Sequence, residues 1–298
     1  MKVAVLYGGN SAERDVSLKS GAAVFEAIQA LGHEATLIDT ADKDALAKLQ
    51  SGGFDKAFPA LHGRGGEDGV IQGVLDFLEI PYCGSGVLAS ALAMDKFKSK
   101  QVLMTAGVKV AEFELLNSNS DWKAIVDRLG LPLMVKPARE GSSVGINKAE
   151  SVEELQQHFE TALKYDDCII AEQWLTGLEY SVAILANEAL PAILLQHAEG
   201  TPFFDFETKY VKGTTKSLIP CGLSDEDEKK MQRLALEAFN QLNCRGWGRI
   251  DIMEHSGDFY VLEANTLPGM TKASLFQKAA AATGLDFNAL VAKILETA

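Results

Sequence analysis

Cysteine is scarce in this sequence, and the few cysteines show no pattern that would hold a metal or a disulfide framework. The 298 residues include four cysteines, and no Cys-x-x-Cys or zinc-type Cys/His spacing occurs among them. Scattered cysteines of this kind are usually reduced and buried. We therefore predict four reduced, mostly buried thiols, at Cys83, Cys168, Cys221 and Cys244.

Positive charge and long apolar runs are lacking as well. Lysine and arginine number 28 against 41 aspartates and glutamates, a formal net charge of −13, whereas a nucleic-acid partner requires clustered cations. No apolar segment approaches the roughly 20 residues that span a bilayer. Residues 1–9 have the pattern of a strand ending in two glycines, not that of a signal peptide. We expect a cytoplasmic protein that binds neither nucleic acid nor membranes.

Two common nucleotide-binding motifs are also missing. The first strand ends in Gly8-Gly9, but no G-x-G-x-x-G follows, and no glycine-rich loop closes with Gly-Lys-Ser/Thr. The first absence argues against a nicotinamide-dependent dehydrogenase built on the N-terminal part. The second excludes a Walker A loop.

The first part of the chain alternates apolar runs of strand length with segments of helical periodicity. We predict strands at 2–7, 35–38 and 54–61, and helices at 15–31, 44–49 and 70–78. This β-α-β-α-β order predicts a parallel, Rossmann-like sheet. Further along, we predict long helices at 87–105 and 274–298, a strand at 108–116, and a long irregular lid at 201–220.

The sharpest cluster of polar residues lies on two predicted strands near the C-terminus. Strand alternation puts Arg249 and Asp251 on one face, and it aligns Glu263 with Asn265 in the same way. If the strands pair, two carboxylates and an amide oxygen converge, which is a donor set suited to Mg²⁺ beside nucleotide phosphates. The alternative is the polar outer face of an antiparallel hairpin.

Two clusters in the middle of the chain could bind a nucleotide. The loop 139–145 is rich in glycine and serine and follows Lys136, so its backbone N–H groups could approach phosphate oxygens, although it could equally be an ordinary turn. Glu172, Trp174 and Leu175, with Glu179 beyond them, could enclose a purine and its ribose. A sheet-edge turn with a core tryptophan explains these residues as well.

Two glycine-containing loops follow strands of the N-terminal sheet. In residues 8–14, a strand ends near a helix start, where an anion could bind, while Glu13 could complement the helix dipole or hold a substrate ammonium. The loop 62–69 begins with His62 and lies at the carboxyl end of the third strand, the end at which open α/β sheets bind ligands. A structural role for His62 remains an alternative.

Together these segments resemble the D-alanine–D-alanine ligases, a branch of the ATP-grasp superfamily. The resemblance covers nearly the whole chain, and its motifs occur in the family's order: GGNSAERDVSLKSG, HGRGGEDG, MDKFKSK, VKPAREGSSVG, EQWLTGLE, FDFETKY, GWGRID and EANTLPGMTKASL. It implies a three-part α/β fold, in which a Rossmann-like substrate domain (1–94) precedes central (95–180) and C-terminal (181–298) α+β parts that clasp ATP.

The resemblance also implies roles for individual residues. Those that match the ATP-binding residues are Lys96, Lys136, Glu172, Trp174, Leu175, Glu179 and Lys209. The positions of the metal ligands are occupied by Asp251, Glu263 and Asn265. The first D-alanine would be held by Glu13 beside His62, and the residues that orient it with Glu13 would be Ser142 and Tyr210. The oxyanion would be bound by Arg249 and the Gly269 N–H, and the second carboxylate by Ser274 and Leu275.

The function implied is the ATP-dependent joining of two D-alanines through an acyl phosphate, for peptidoglycan precursor synthesis. The expected cofactors are ATP as co-substrate and Mg²⁺, as two ions, with Mn²⁺ as a substitute. Relatives resemble homodimers, so we expect one here. The nearer alternative is a ligase that takes D-lactate or D-serine as second substrate, although Tyr210 resembles the amide-forming ligases. A nucleotide-binding regulator without ligase activity is disfavoured by the complete set of metal ligands.

Overall fold

Three sheets organise the chain in the computed structural model, which describes residues 1–141, 144–196 and 215–298. The strands are β1 Lys2–Tyr7, β2 Glu34–Asp39, β3 Lys56–Pro59, β4 Phe113–Leu116, β5 Leu133–Pro137, β6 Asn147–Ala149, β7 Ile169–Gln173, β8 Glu179–Leu185, β9 Glu188–Ala189, β10 Ile193–Gln196, β11 Lys216–Leu218, β12 Trp247–His255 and β13 Asp258–Asn265. The helices are α1 Arg14–Ala30, α2 Ala45–Ser51, α3 Val70–Phe77, α4 Val87–Met94, α5 Lys96–Thr105, α6 Trp122–Leu129, α7 Val152–Ala162, α8 Asp225–Gln241, α9 Leu275–Ala282 and α10 Phe287–Leu295.

The N-terminal sheet has the order β2-β1-β3, and both pairings are parallel. The four central residues of β1, Val3 to Leu6, are fully buried because helices cover a parallel sheet. The parallel arrangement predicted from the β-α-β-α-β order is confirmed. It places the ends of β1 and β3, and therefore Glu13 and His62, at one edge of the sheet.

The two remaining sheets are antiparallel. The central sheet has the order β4-β7-β5-β6, and the C-terminal sheet runs β11-β10-β8-β12-β13, with β9 paired to β8. The domain boundary expected at 180/181 falls inside β8, whose partners β10 and β12 both belong to the C-terminal sheet. Ser151 caps α7, because its hydroxyl oxygen accepts the Glu154 N–H at 3.1 Å.

Three predicted elements differ in the structure. The helix predicted at 87–105 is two helices, because Asp95 is extended and its carboxylate caps α5 by accepting the Lys98 N–H at 2.9 Å. The helix predicted at 274–298 is also two, since Asp286 caps α10 in the same way. The strand predicted at 108–116 begins only at Phe113, because the Val108 N–H still bonds to the Leu103 carbonyl and completes the end of α5.

The C-terminal helices return to the N-terminal sheet. The α10 helix packs against α1, and the Lys56 ammonium donates to the Leu295 carbonyl at 2.7 Å. Trp247 of β12 lies between two rings, with centroids 5.8 Å from Phe58 and 5.3 Å from Phe276. The first and last parts of the chain therefore share one core.

The helices within the described ranges include none that is long and apolar enough to cross a bilayer.

Candidate active site

A cavity of about 440 Å³ lies where the N-terminal sheet, α5 and the β12–β13 hairpin meet. It brings together residues that are far apart in the sequence and that the sequence analysis singled out. The predicted site residues that line it are Glu13, His62, Lys96, Arg249, Glu263, Asn265, Gly269, Ser274 and Leu275. The structure therefore gathers around one space those residues predicted to bind the two amino acids that lie in the described ranges.

The β12–β13 hairpin supplies the floor of this cavity. Its register pairs Asp251 with Glu263 and Arg249 with Asn265, so all four side chains leave one face of the sheet. Asp251 is buried and accepts hydrogen bonds from Arg249 Nε at 2.8 Å and Arg249 Nη2 at 2.7 Å. The Ser181 hydroxyl and the Asn265 amide complete its shell at 2.8 and 3.2 Å. The guanidinium thus serves as the counterion of this carboxylate.

Lys96 connects α5 to the hairpin. Its ammonium lies 3.2 Å from Glu263 Oε2 and donates to the Glu140 carbonyl at 2.8 Å. Burial favours the neutral amine, but the charge of Glu263 and its hydrogen bond outweigh this effect and raise the pKa of Lys96 above its usual value. Lys96 therefore enters the cavity as a cation.

His62 is buried at the end of β3 and is held by other parts of the chain. Its Nε2 lies 3.1 Å from Ser20 Oγ, and the same hydroxyl oxygen accepts the Met270 N–H at 3.1 Å. Burial lowers the pKa of His62 to about 4, and the nearby Arg249 charge acts in the same direction. The imidazole is consequently neutral at physiological pH.

Glu13 begins α1 and lies between two glycine loops. A Cβ at Gly63 would approach Glu13 Oε2 to 2.9 Å, and one at Gly141 to 2.8 Å. Both loops therefore come close to this carboxylate because neither position carries a side chain. Glu13 lines the main cavity and also a neighbouring one of about 340 Å³.

Glu67 is a cavity residue that the sequence analysis did not single out. Its carboxylate accepts the Gly63 N–H at 2.6 Å. Burial and the nearby negative charge of Glu13 raise the pKa of Glu67 to about 8. The only sequence feature that could have pointed to Glu67 is its position in the 62–69 loop. The sequence alone does not show which carboxylate of that loop faces the cavity.

Among the residues predicted to contact ATP, Lys136 and Glu172 form a buried ion pair, and three others lie near the end of β7 and the start of β8. Lys136 and Glu172 are buried together on neighbouring strands, where they form an ion pair. Trp174 follows β7, and the Lys148 ammonium lies 5.0 Å from its ring centroid. Leu175 is buried at the edge of this group, and Glu179 begins β8. Lys100 joins the buried pair by contacting Glu172, and the sequence analysis had assigned it no role.

The segment before α9 forms the opposite wall of the cavity. The Ser274 hydroxyl oxygen accepts the Thr271 N–H at 2.8 Å and lies 2.9 Å from Thr271 Oγ1. A Cβ at Gly269 would come within 3.3 Å of the same oxygen. Ser274 and Leu275, the first residue of α9, thus border the cavity.

Part of the predicted site lies outside the described residues. This applies to Ser142, Lys209 and Tyr210, and to residues 201–214 of the predicted lid. The described end of that lid contains β11, where Ser217 Oγ accepts a hydrogen bond from the Lys278 ammonium at 2.6 Å.

The predicted metal ligands have the chemistry that a hard divalent cation requires. Asp251, Glu263 and Asn265 present oxygen donors from one face of the hairpin. Residues 1–141, 144–196 and 215–298 contain no group of three histidines, cysteines or acids already arranged to hold a metal. The donor set fits Mg²⁺, but Arg249 would compete with the metal for Asp251, because its two hydrogen bonds occupy an acceptor position on each carboxylate oxygen.

Comparison with known proteins identifies the family. The family descriptions "D-ala D-ala ligase N-terminus" and "D-ala D-ala ligase C-terminus" match residues 39–85 and 102–296. The chain belongs to the D-alanine–D-alanine ligase family. The D-alanine–D-alanine ligase of Alcanivorax borkumensis is 52% identical, with 99% of this chain and 92% of the relative covered. That of Nitrosococcus oceani is 51% identical at the same coverage.

Solved structures of this ligase family agree with the fold. A D-alanine–D-alanine ligase from Bacillus anthracis superposes with a TM-score of 0.90 at 35% identity, covering 100% of this chain and 97% of the other. The same enzyme complexed with ATP gives a TM-score of 0.88 at 33% identity, with the same coverage. The predicted mixed α/β fold and the recognition of the family are confirmed.

Proposed function

We propose that this chain is an ATP-dependent ligase that joins two D-alanines into D-alanyl-D-alanine through an acyl phosphate, in the cytoplasm, for peptidoglycan precursor synthesis. The relatives that bear the name D-alanine–D-alanine ligase match the chain from end to end at about half identity. The single structural observation that carries the proposal is the cavity in which Glu13, Arg249 and Glu263 meet. This ligation needs a carboxylate to bind the substrate ammonium, a cation to stabilise the oxyanion and a carboxylate to bind the metal ion, which would be Glu13, Arg249 and Glu263 in turn.

In this proposal, Glu13 holds the ammonium of the first D-alanine. The cavity that Glu13 and His62 line has room for a small amino acid beside them. Since His62 is neutral, it contributes a hydrogen bond and no charge that would repel the ammonium. Ser142 and Tyr210 would orient this substrate together with Glu13.

ATP would lie between the central and C-terminal sheets, which is the ATP-grasp arrangement. The B. anthracis relative complexed with ATP supports a nucleotide site in this fold. The adenosine would contact Glu172, Trp174, Leu175 and Glu179, and the phosphates would contact Lys96, Lys136 and Lys209. The charge on Lys96 and the burial of Lys136 suit phosphate oxygens, because ion pairs are stronger where water is excluded.

Asp251, Glu263 and Asn265 would hold Mg²⁺, as two ions, or Mn²⁺ in its place. The bound metal would neutralise charge on the phosphates. Lys96, which contacts Glu263, lies beside the proposed ligands and would add its own positive charge to the phosphate end of the site.

The second half of the reaction needs an oxyanion site and an anchor for the second D-alanine. Arg249 and the Gly269 N–H would stabilise the oxyanion that forms when the incoming amine attacks the acyl phosphate. Ser274, Leu275 and the start of α9 would bind the second carboxylate, because unpaired N–H groups at a helix start attract anions. Burial inside the cavity would protect the acyl phosphate from water.

We further propose a homodimer formed through α3 and α4. These neighbouring helices expose Phe77, Val70 and Leu88, whose exposed fractions are 88%, 61% and 60%. Exposed apolar side chains of this size on adjacent helices are typical of association surfaces. Phe77→Glu should convert a dimer into a monomer in light scattering without loss of folding. An unchanged molar mass would contradict this surface.

The proposed activity is tested by measuring ADP release with Mg²⁺-ATP and D-alanine and by identifying the product by mass. Release with D-alanine but not with L-alanine, together with a dipeptide product, is the expected result. D-lactate and D-serine as second substrates form the other arms of the assay. A folded protein that binds ATP but releases ADP with none of these compounds would refute the proposed function.

A further inference from the structure

Lys100 is a buried lysine to which the proposed function gives no role, although it contacts Glu172. It lies on α5, one turn after Lys96, and only 1% of it is exposed. Residues four apart in a helix share a face, so both lysines point away from solvent. An ordinary structural lysine keeps its ammonium in water, which makes a fully buried one unusual.

The contact of Lys100 is with the carboxylate of Glu172. Glu172 is 4% exposed, and each of its oxygens faces a different lysine. Oε2 contacts Lys136 and Oε1 contacts Lys100. Within the described part of the chain, Lys100 Nζ and Glu172 Oε1 make no hydrogen bond of good geometry with any other group. In this cluster one buried carboxylate therefore faces two lysines.

The second lysine changes the electrostatic surroundings of Lys136. If Lys100 were absent, Glu172 would pair with Lys136 alone, and the two charges would cancel. With Lys100 present, the carboxylate is shared and Lys136 retains part of its positive potential. Burial lowers the pKa of Lys136, and the charge of Lys100 acts in the same direction against the opposing effect of Glu172. Two lysines that share one buried carboxylate favour the arrival of a further anion, and a phosphate group is such an anion.

We propose that Lys100 is a positioning residue for the nucleotide: it shares the Glu172 carboxylate so that the Lys136 ammonium remains available to a phosphate oxygen. The inference rests on the proposed function, in which Lys136 contacts the phosphates of ATP. Lys100 itself touches neither the substrate nor the nucleotide. Lys100 determines how strongly Glu172 neutralises Lys136, which contacts the phosphates in the proposed function.

The test compares Lys100→Met and Lys100→Arg with Lys98→Met as matched control. Lys98 lies on the same helix but is exposed, and its ammonium is 3.3 Å from Gln101 Oε1. For each variant, the KM for ATP and kcat are measured, and the binding of ADP and of adenosine is followed by calorimetry. Lys100→Met should weaken ADP binding and raise the KM for ATP by about tenfold, the scale of one charge-assisted contact.

The pattern across ligands separates this role from a purely structural one. Adenosine affinity and kcat should change by less than about threefold, Lys100→Arg should restore ADP binding, and Lys98→Met should behave as wild type. Equal losses for ADP and adenosine would overturn the proposal, because they would mean that the nucleoside pocket is damaged. Unchanged ADP binding would overturn it as well.

Three further results have a defined meaning for the proposal. If Lys100→Met does not fold, Lys100→Gln carries the same comparison, since it also removes the charge while keeping a polar head. If the wild-type protein binds neither ADP nor ATP, the proposed function fails and this inference fails with it. If the wild type ligates D-alanine and only the Lys100 variants deviate from the expected pattern, the inference alone is refuted.

Discussion

Replacing Arg249 by methionine separates the two roles assigned to this side chain. In the structure, the guanidinium makes two hydrogen bonds to the buried Asp251, at 2.8 and 2.7 Å. Removing one partner of a buried ion pair typically costs about 3–5 kcal/mol. Asp251 keeps its bonds to Ser181 and Asn265. We therefore expect the lower end of that range, a loss of about 3 kcal/mol in the free energy of unfolding without metal.

The freed carboxylate should then respond to Mg²⁺. A ligand at a hundred times its dissociation constant stabilises the native state by about 2.7 kcal/mol, so Mg²⁺ should recover most of the loss in Arg249→Met. The wild-type protein should gain less, because the metal must first displace Arg249. Ligation should remain slow, by about 10²- to 10³-fold, since the oxyanion donor is missing.

The assay is urea denaturation of both proteins with and without Mg²⁺, in the absence of nucleotide. The control is the double variant Arg249→Met with Asp251→Asn, which lacks both charges. It should regain part of the stability and respond less to Mg²⁺ than Arg249→Met does, since the Asp251 carboxylate is gone. Equal Mg²⁺ stabilisation of wild type and Arg249→Met would refute the idea that guanidinium and metal compete for Asp251.

Two further predictions concern the pocket for the first substrate. His62 binds no proton in the folded state until pH falls to about 4, whereas an unfolded histidine protonates near 6.5. The free energy of unfolding should therefore fall by roughly 3 kcal/mol between pH 6.5 and 4. A His62→Gln variant that keeps the same pH slope in urea titrations would contradict this. Gly63→Ala should raise the KM for D-alanine, because its Cβ would lie 2.9 Å from Glu13 Oε2. Gly65→Ala is the control, because Gly65 also has a positive φ but a Cβ there would meet no atom within 4 Å. Both variants should lose about 1 kcal/mol of stability. Only Gly63→Ala should alter substrate binding.

Elements with a strong local pattern could be predicted from the sequence. The β12–β13 hairpin has an alternating pattern on both strands, and this was enough to place Asp251 and Glu263 on one face. The break at Asp95 was missed because apolar helical spacing continues across it. The extended conformation of Asp95 and its capping bond from the Lys98 N–H separate α4 from α5.

Contacts between distant segments could not be predicted in this way. Arg249 and Asp251 were assigned separate roles, and nothing in their spacing shows that the guanidinium folds back on the carboxylate of its own strand. Ser20 lies 42 residues from His62, and the same hydroxyl reaches Met270, 250 residues away. The burial of Lys100 depends on how α5 packs against the central sheet. The lysine-rich sequence of α5 does not predict this packing.

The packing of α10 against α1 has a consequence for how the protein is made. The N-terminal sheet leaves the ribosome first, but residues that close its core, such as Phe276 and Leu295, are among the last to be synthesised. Translation at about 5–20 residues per second therefore leaves apolar surface of the nascent N-terminal part uncovered for about ten seconds or more. The N-terminal part should consequently engage chaperones during synthesis, and a chain released before α9 should be cleared as an incomplete fold.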